Sequence, residues 1–411
     1  MTSPYTNTKQ VHIDETIRFL TNIGAKFAGR ALYMWGNESR INDPDFLGYA
    51  RMALQKLHQA DSEFIAQAGI FEIVTEHVNR VPIPEWVFKD FSIEPQDRNF
   101  DYARMLYSDG LYVDHLGAGG SIPDVTHLET QMWIYFLAAS YINIGIEALH
   151  LGQVELIGEH DKEYSCYWDL VSRIRAYASK HARRHYVICD SHVRKTHGIV
   201  LDGKLLLDFH SRPLRGVKEI ESEPLHARLE MGYLDSIFGR SRGGYSPSGW
   251  YCEHAPYLIE FDNWGVSGLG GKLLPGIWIW GYDEISWFAH LEEKYRNYWL
   301  EYAWQWISEN DPNGHLQMPG CRGLAAPANN KTRYYANTPG EACPDGFNQE
   351  ATIKAIWEKD MQGKPQKPSY HFNSQIPIEV LENYLSRATT QTNLLVSLRG
   401  HYAHPDVYGH Y

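Results

Sequence analysis

Strand-like runs and amphipathic helical runs alternate along most of this 411-residue chain, and no other feature constrains the fold as much. Strands joined through helices pair in parallel, because the crossover helix carries the chain back to the end it started from. The strand-like runs are Ala31–Asn37, Ile70–Glu76, Ile146–Gly152, Tyr186–His192, Leu205–His210, Tyr257–Asn263, Gly276–Gly281 and Gly314–Pro319. Helical patterns fall near Phe46–Gln59, His127–Asn143, Glu163–Arg183, Pro224–Phe238 and Glu284–Glu309. About eight strands is the number that closes a (β/α)8 TIM barrel, an α/β fold. A doubly wound open sheet needs fewer strands and a Gly-rich phosphate turn, and no G-x-G-x-x-G or G-x-x-x-x-G-K-[ST] follows any of these runs.

Three interruptions shape the expected organisation. A long irregular loop, Asn79–Pro123, follows the second strand, with Gly117–Gly120 as a candidate hinge over the barrel mouth or part of an ordinary packed insertion. Asp202-Gly203 between apolar arms signals a hairpin. Beyond Cys321 the chain turns loop-rich, with a helix near Asn348–Lys359, a Pro-Lys linker at Gly363–Pro368 and a last helix from Ile378 toward Arg399. The expectation is a barrel domain over 1–320 and a C-terminal loop and helix cover over 321–411.

Composition narrows the partners. A net charge of −12 argues against nucleic acid or an anionic membrane surface, which require clustered Lys and Arg. The basic knots Lys180–Arg184 and Arg212–Arg215 read as a helix end or as carboxylate partners. No stretch approaches the roughly 18 apolar residues of a membrane span, and the N-terminal residues lack the apolar core of a signal peptide. A soluble protein is expected, either cytoplasmic or exported after removal of a leader, with its oligomeric state open. The five cysteines form no C-x-x-C pair, so a structural zinc site is not expected; Cys189 reads as a buried thiol, and Cys321 and Cys343 flank a loop that a disulfide would close in an oxidising compartment.

Alternate residues of a barrel strand face the interior, and those near its C-terminal end line the active-site mouth. Parity then presents Trp35 and Asn37 from the first strand, Glu72 and Glu76 from the second, and His150 from the third. The fourth presents Asp190 and His192, the fifth Asp208 and His210, and the sixth Glu260 and Asp262. Trp280 and Tyr282 follow from the seventh, His315 and Gln317 from the last. Unpaired buried charge is costly, so acids and imidazoles gathered at one mouth must be solvated, hydrogen-bonded, metal-bound or shaped for a ligand.

Paired carboxylates are what glycosidic-bond hydrolysis needs: a protonated acid for the leaving oxygen, and an ionised partner as nucleophile or base. Aromatic side chains stack on sugar faces, and this chain has 13 Trp and 27 Tyr, most of them expected in the core. On these grounds the segment Ala31–Pro319 resembles the (β/α)8-barrel glycoside hydrolases as a broad class, without the signature of any one family. The Asn-Glu pair that ends a strand in one large clan of those enzymes has no counterpart here; the nearest acid after the third strand is Glu155 in Gly152-Gln153-Val154-Glu155. The resemblance implies a carbohydrate substrate and no cofactor. The candidate catalytic carboxylates are Asp190, Asp208, Glu260 and Asp262, with Glu76 and Glu155 behind them. Trp35, Asn37, His150, Gln153, His192, His210, Trp280, Tyr282 and Gln317 are the candidate sugar-binding residues. Asp283-Glu284 is expected to cap the following helix.

Two other classes remain open. Asp190, His192, Asp208, His210 and Glu260 include ligand types of a metal-dependent barrel hydrolase, although neither an H-x-H on the first strand nor an H-E-x-x-H helix is present. A non-catalytic carbohydrate-binding barrel would keep the aromatic residues and need no acid pair.

Overall fold

A computed structural model describes residues 10–193, 199–214, 217–219, 223, 225–230, 241–263, 270, 280–311 and 313–361. The fold is mixed α/β around a sheet of seven parallel strands: β1 (Phe27–Tyr33), β2 (Ile65–Gly69), β3 (Ala148–His150), β4 (Ile188–His192), β5 (Phe209–Pro213), β6 (Tyr257–Glu260) and β7 (Gly314–Leu316). Their hydrogen-bonded order is their chain order, as in a β/α winding that always advances in one direction. The eighth expected strand, Gly276–Gly281, falls almost wholly outside the described residues, as do the linker at 363–368 and the helix from Ile378.

By their contacts the residues form two compact units, one of Met1–Ser211 with Arg240–Pro256 and one of Arg212–Gly239 with Tyr257–Tyr411. In the first, β2 pairs with β1 and β3, and β4 joins β3 in the register His150↔Asp190; Asp190 and His192 of β4 then stand opposite Phe209 and Ser211 of β5. Around the strands lie α1 (Gln10–Asn22), α2 (Pro44–Ala60), α3 (Glu85–Asp90), α4 (Leu128–Ile142), α5 (Val154–Ile157) and α6 (Ser165–His181). Helix α2 starts where Asp43 accepts the Asp45 N–H and Pro44 presets the first helical φ. Helix α4 touches both α3 and α6, which is why it is apolar nearly all round.

In the second unit, β6 pairs in parallel with β7, and the Leu214 N–H donates to Glu260 O. The expected single helix 284–309 is two: α7 (Glu284–His290) and α8 (Glu293–Asn310), broken at Leu291, whose carbonyl accepts from the buried Arg296 guanidinium instead of continuing the helix. The loop-rich stretch after Cys321 contains an antiparallel hairpin, Cys321–Ala328 with Lys331–Tyr335, followed by α9 (Glu350–Met361). Of the expected helix 224–238, residues 224 and 231–238 lie outside the described residues; Ala227–Leu229 instead pairs with Val217–Glu219, held by Tyr302 and Tyr295 hydroxyls that accept from the Leu229 and Ala227 N–H groups.

Two expected strands are displaced toward the N-terminus. The first is Phe27–Tyr33 instead of Ala31–Asn37, and the second Ile65–Gly69 instead of Ile70–Glu76. Their sequences, FAGRALY and IAQAG, are rich in small residues and weak in β-branched ones, so propensity does not mark them. The following residues alternate in burial without being strand: Glu72, Val74 and Val78 are buried because these connections are themselves core. The fifth strand likewise begins at Phe209, because Lys204–Leu205 is spent on a hairpin with Val200–Leu201. That hairpin turns at Asp202 (φ 49°) and Gly203 (φ 72°), the two positive-φ positions that Asp-Gly supplies.

Candidate functional site

At the centre of the first unit lies a chain of hydrogen bonds ending on Asp190. The Arg30 N–H donates to Gln67 Oε1 at 3.0 Å, and Gln67 Nε2 donates to Asp190 Oδ1. Arg30 reaches this position at φ 49°, where the β1–β2 register shifts between Ala28 and Leu32. Ser211 Oγ donates to Asp190 Oδ2, which also contacts His150 Nδ1 at 2.9 Å. An ionised carboxylate only accepts, so the His150 proton sits on Nδ1. Asp190, Ser211 and His150 are all buried, and burial lowers the His150 pKa below its ordinary value.

Asp208 is placed differently. It lies just before β5, and strand alternation sends it away from Ser211 and Asp190, toward α6. There it accepts from the Cys189 N–H (2.7 Å), Ser246 Oγ (2.6 Å), Ser248 Oγ (2.7 Å) and N–H (3.2 Å), and Arg175 (3.2 Å). His210 shares that parity and meets Ser241 Oγ at 3.3 Å. The structure therefore does not bring Asp208 and His210 to Asp190. Cys189 is a buried thiol whose pKa burial pushes up to about 12.

Past the strand ends of the same unit, Gln153 Nε2 donates to Glu72 Oε1 at 2.8 Å. Gly152 makes this approach possible: at φ 55°, a Cβ there would stand 2.7 Å from Glu72 N and 2.8 Å from Glu72 Oε2. Its carbonyl accepts from Ser191 Oγ (2.7 Å) and the His192 N–H (2.9 Å). Glu155 is buried in the first turn of α5. Trp35, Phe71, His150 and His192 form a run of edge-on rings with centroids 5.4, 5.6 and 5.0 Å apart. Trp35 and Asn37 are exposed, and Asn37 lies 3.4 Å from His77 Nδ1. Glu76 is exposed at the start of a 3-10 turn, away from the Asp190 network.

The second unit holds the other acid cluster. Arg322, buried on the hairpin after β7, sends Nη1 to Glu260 Oε2 at 3.3 Å and Nη2 toward Asp262 Oδ1 at 3.7 Å and Asn263 Oδ1 at 3.4 Å. Asp283 caps α7, as expected, accepting the Ser286 N–H at 2.7 Å and Ser286 Oγ at 3.0 Å. Ser286 Oγ accepts in turn from the Ala326 N–H, and Asp262 O from the Ile285 N–H. Burial pushes the Asp283 carboxyl up to about 7, outweighing the Ser286 donors that favour its anion, and the Asp262 charge adds to the rise. Tyr282 stacks on His290 with centroids 4.3 Å apart, Trp280 is buried at φ 51°, Gln317 is half-buried and His315 exposed.

Arg322 and the proton-holding character of Asp283 are the site features that local sequence does not signal. Arg322 sits 62 residues from Glu260, in a stretch that reads as loop. The basic knot at Lys180–Arg184 is a helix end, as expected: α6 stops at His181, and Arg183 and Arg184 pair with buried Glu147 at 2.8 and 3.3 Å. Among the described residues, no group of three or more His, Cys, Asp or Glu is arranged to hold a metal, and no helix is long and apolar enough to cross a membrane.

No protein-family model matches the chain, and no curated protein matches it. Solved structures do. The chain is similar to a protein of Thermus thermophilus (TM-score 0.47, 11% identity, 86% of this chain and 72% of that one). It is also similar to the native debranching enzyme of Nostoc punctiforme (TM-score 0.42, 11% identity, 85% and 70%). The acarbose-soaked form of that enzyme aligns over 50% of this chain and 44% of its own, at TM-score 0.32 and 13% identity. Superpositions this partial transfer no activity.

Proposed function

We propose that this chain is a glycoside hydrolase whose reacting carboxylates are Asp262 and Asp283. The observation that carries the proposal is a pair of acids in one cluster with opposed environments. Asp283 is buried and keeps its proton to about pH 7, while Asp262 lies partly exposed within reach of the Arg322 guanidinium. Opposed environments of this kind separate an acid from a nucleophile or base. Asp283 then protonates the glycosidic oxygen as its bond to the anomeric carbon breaks, and Asp262 attacks that carbon or takes a proton from the attacking water. Glu260 and Asn263 share Arg322 with Asp262 and hold the guanidinium in place. Tyr282 and Gln317 of the same unit are the sugar contacts in this scheme, by stacking and by hydrogen bonding.

The finer architecture belongs to the same proposal: a closed (β/α)8 barrel over 1–320, with 321–411 as loop and helix cover. The test is turnover of a glycan panel by the wild type, Asp262→Asn and Asp283→Asn. Asn is itself a good helix cap, so Asp283→Asn preserves α7 while removing the acid. Loss of turnover in both variants supports the assignment, and full activity in either overturns it. Loss of wild-type turnover with EDTA and recovery with a divalent metal would favour a metallohydrolase. Glycan binding by the wild type with no turnover would favour a binding protein.

A further inference from the structure

The His150 imidazole has one nitrogen committed and one open. Nδ1 donates to Asp190, while Nε2, fully buried at the end of β3, has no hydrogen-bond partner among the described residues. With the proton on Nδ1, Nε2 presents a bare lone pair, so what it lacks is a donor. An unmet buried acceptor is costly, and Asp190, anchored by Gln67 and Ser211, holds the other side of the ring. Arg30 holds a left-handed φ in the strand that completes this network, and such backbone strain gathers where the surroundings enforce a functional geometry. The edges of Phe71 and His192, both half-buried, flank the His150 ring, and exposed Trp35 continues the aromatic run outward through Phe71.

We propose that His150 Nε2 accepts a hydrogen bond from a hydroxyl of a neutral sugar seated past the ends of β2, β3 and β4, between Phe71 and His192. The group that meets this lone pair must be a hydrogen-bond donor, and the buried Arg30, whose charge acts on the His150 ring, disfavours a cation; a sugar hydroxyl meets both conditions. Burial keeps the imidazole neutral, so the lone pair stays available at physiological pH. Aromatic edges suit the C–H surface of a sugar ring, and the Glu72–Gln153 pair past the same strand ends offers further acceptors and donors to its hydroxyls. Asp190 is a positioning residue here, since it acts only through the His150 tautomer.

The choice of a sugar rests on the glycosidase proposal, but the residues are different, so the two can fail separately. Crystals of the full chain are soaked with glucose, galactose, mannose and xylose in turn, and binding of the same sugars to the wild type and His150→Gln is measured by calorimetry. The expected result is a sugar hydroxyl within hydrogen-bond distance of Nε2 and a roughly 10-fold weaker Kd in the variant. A buried water only on Nε2 in every soak, or a sugar bound elsewhere with His150→Gln affinity unchanged, overturns the inference. The soaks use wild-type protein, so they decide the matter even if the variant does not fold. A sugar seated on His150 in a protein that turns over no glycan would sink the glycosidase proposal alone. Turnover that depends on Asp262 and Asp283, with only water on Nε2, would sink this one alone.

Discussion

Asp208 and Asp283 are both buried carboxyls, and the contrast between them separates scaffold from chemistry. Asp208 takes five donors, including a guanidinium. Asp283 has, among the described residues, only the two donors of Ser286 and stands near another acid, so burial dominates and its proton is retained. Burial by itself therefore does not mark a reactive acid; what matters is whether the surroundings supply enough donors to hold the anion.

The largest effect expected from that contrast is on turnover. Asp262→Asn and Asp283→Asn should each lower kcat by roughly 1000-fold or more while melting within a few degrees of the wild type, as read by a glycan assay and calorimetry. Asp208→Ala should do the opposite. It strands Arg175 and the hydroxyl and N–H donors around it, and should cost about 3–5 kcal/mol in a denaturant titration. An Asp208→Ala protein of wild-type stability would undo the distinction between the two acids.

Gly152→Ala should cost about 1–3 kcal/mol, because the left-handed φ and the 2.7 Å contact with Glu72 N both oppose a Cβ. Thermal denaturation measures the loss, and an unchanged melting temperature would show that the Glu72 connection yields freely. The smallest effect concerns His150, whose folded pKa lies below its unfolded value. Its contribution to stability is complete above the unfolded pKa, about 6.5, and is lost as pH falls toward the folded value. His150→Gln should flatten that part of the stability–pH curve, and a curve of unchanged slope would mean that the imidazole is not held neutral.

Features written in adjacent residues were legible in the sequence. Asp202-Gly203 turns its hairpin because only a few residue types tolerate φ > 0 twice in succession, and Asp283 caps α7 because its side chain reaches the N–H three residues on. The helices α2, α4 and α6 lie within about two residues of the bounds that their apolar runs mark. Parity succeeded where strand bounds were right, pairing Asp190 with His150 across β3 and β4. It misplaced Asp208 and His210 relative to Asp190, because the run Leu205–His210 conceals a hairpin arm and a bend before β5 begins. Arg322 was beyond reach, since its meeting with Glu260 depends on the path of a hairpin that carries no local strand signal. The proton held by Asp283 was equally hidden, because burial is a property of the packed unit.

Infrared titration of the Asp283 carboxyl reads its protonation state directly. A folded pKa raised to about 7 means that the stability this group contributes is complete below its unfolded pKa, near 4, and is lost as pH rises through about 7. In the difference between wild type and Asp283→Asn, a protonated-carboxyl C=O band should persist at pH 6 and disappear as pH passes about 7. A protonated-carboxyl band of equal intensity in the two proteins at every pH above 5 would show Asp283 ionised like an ordinary surface acid, and would contradict this assignment.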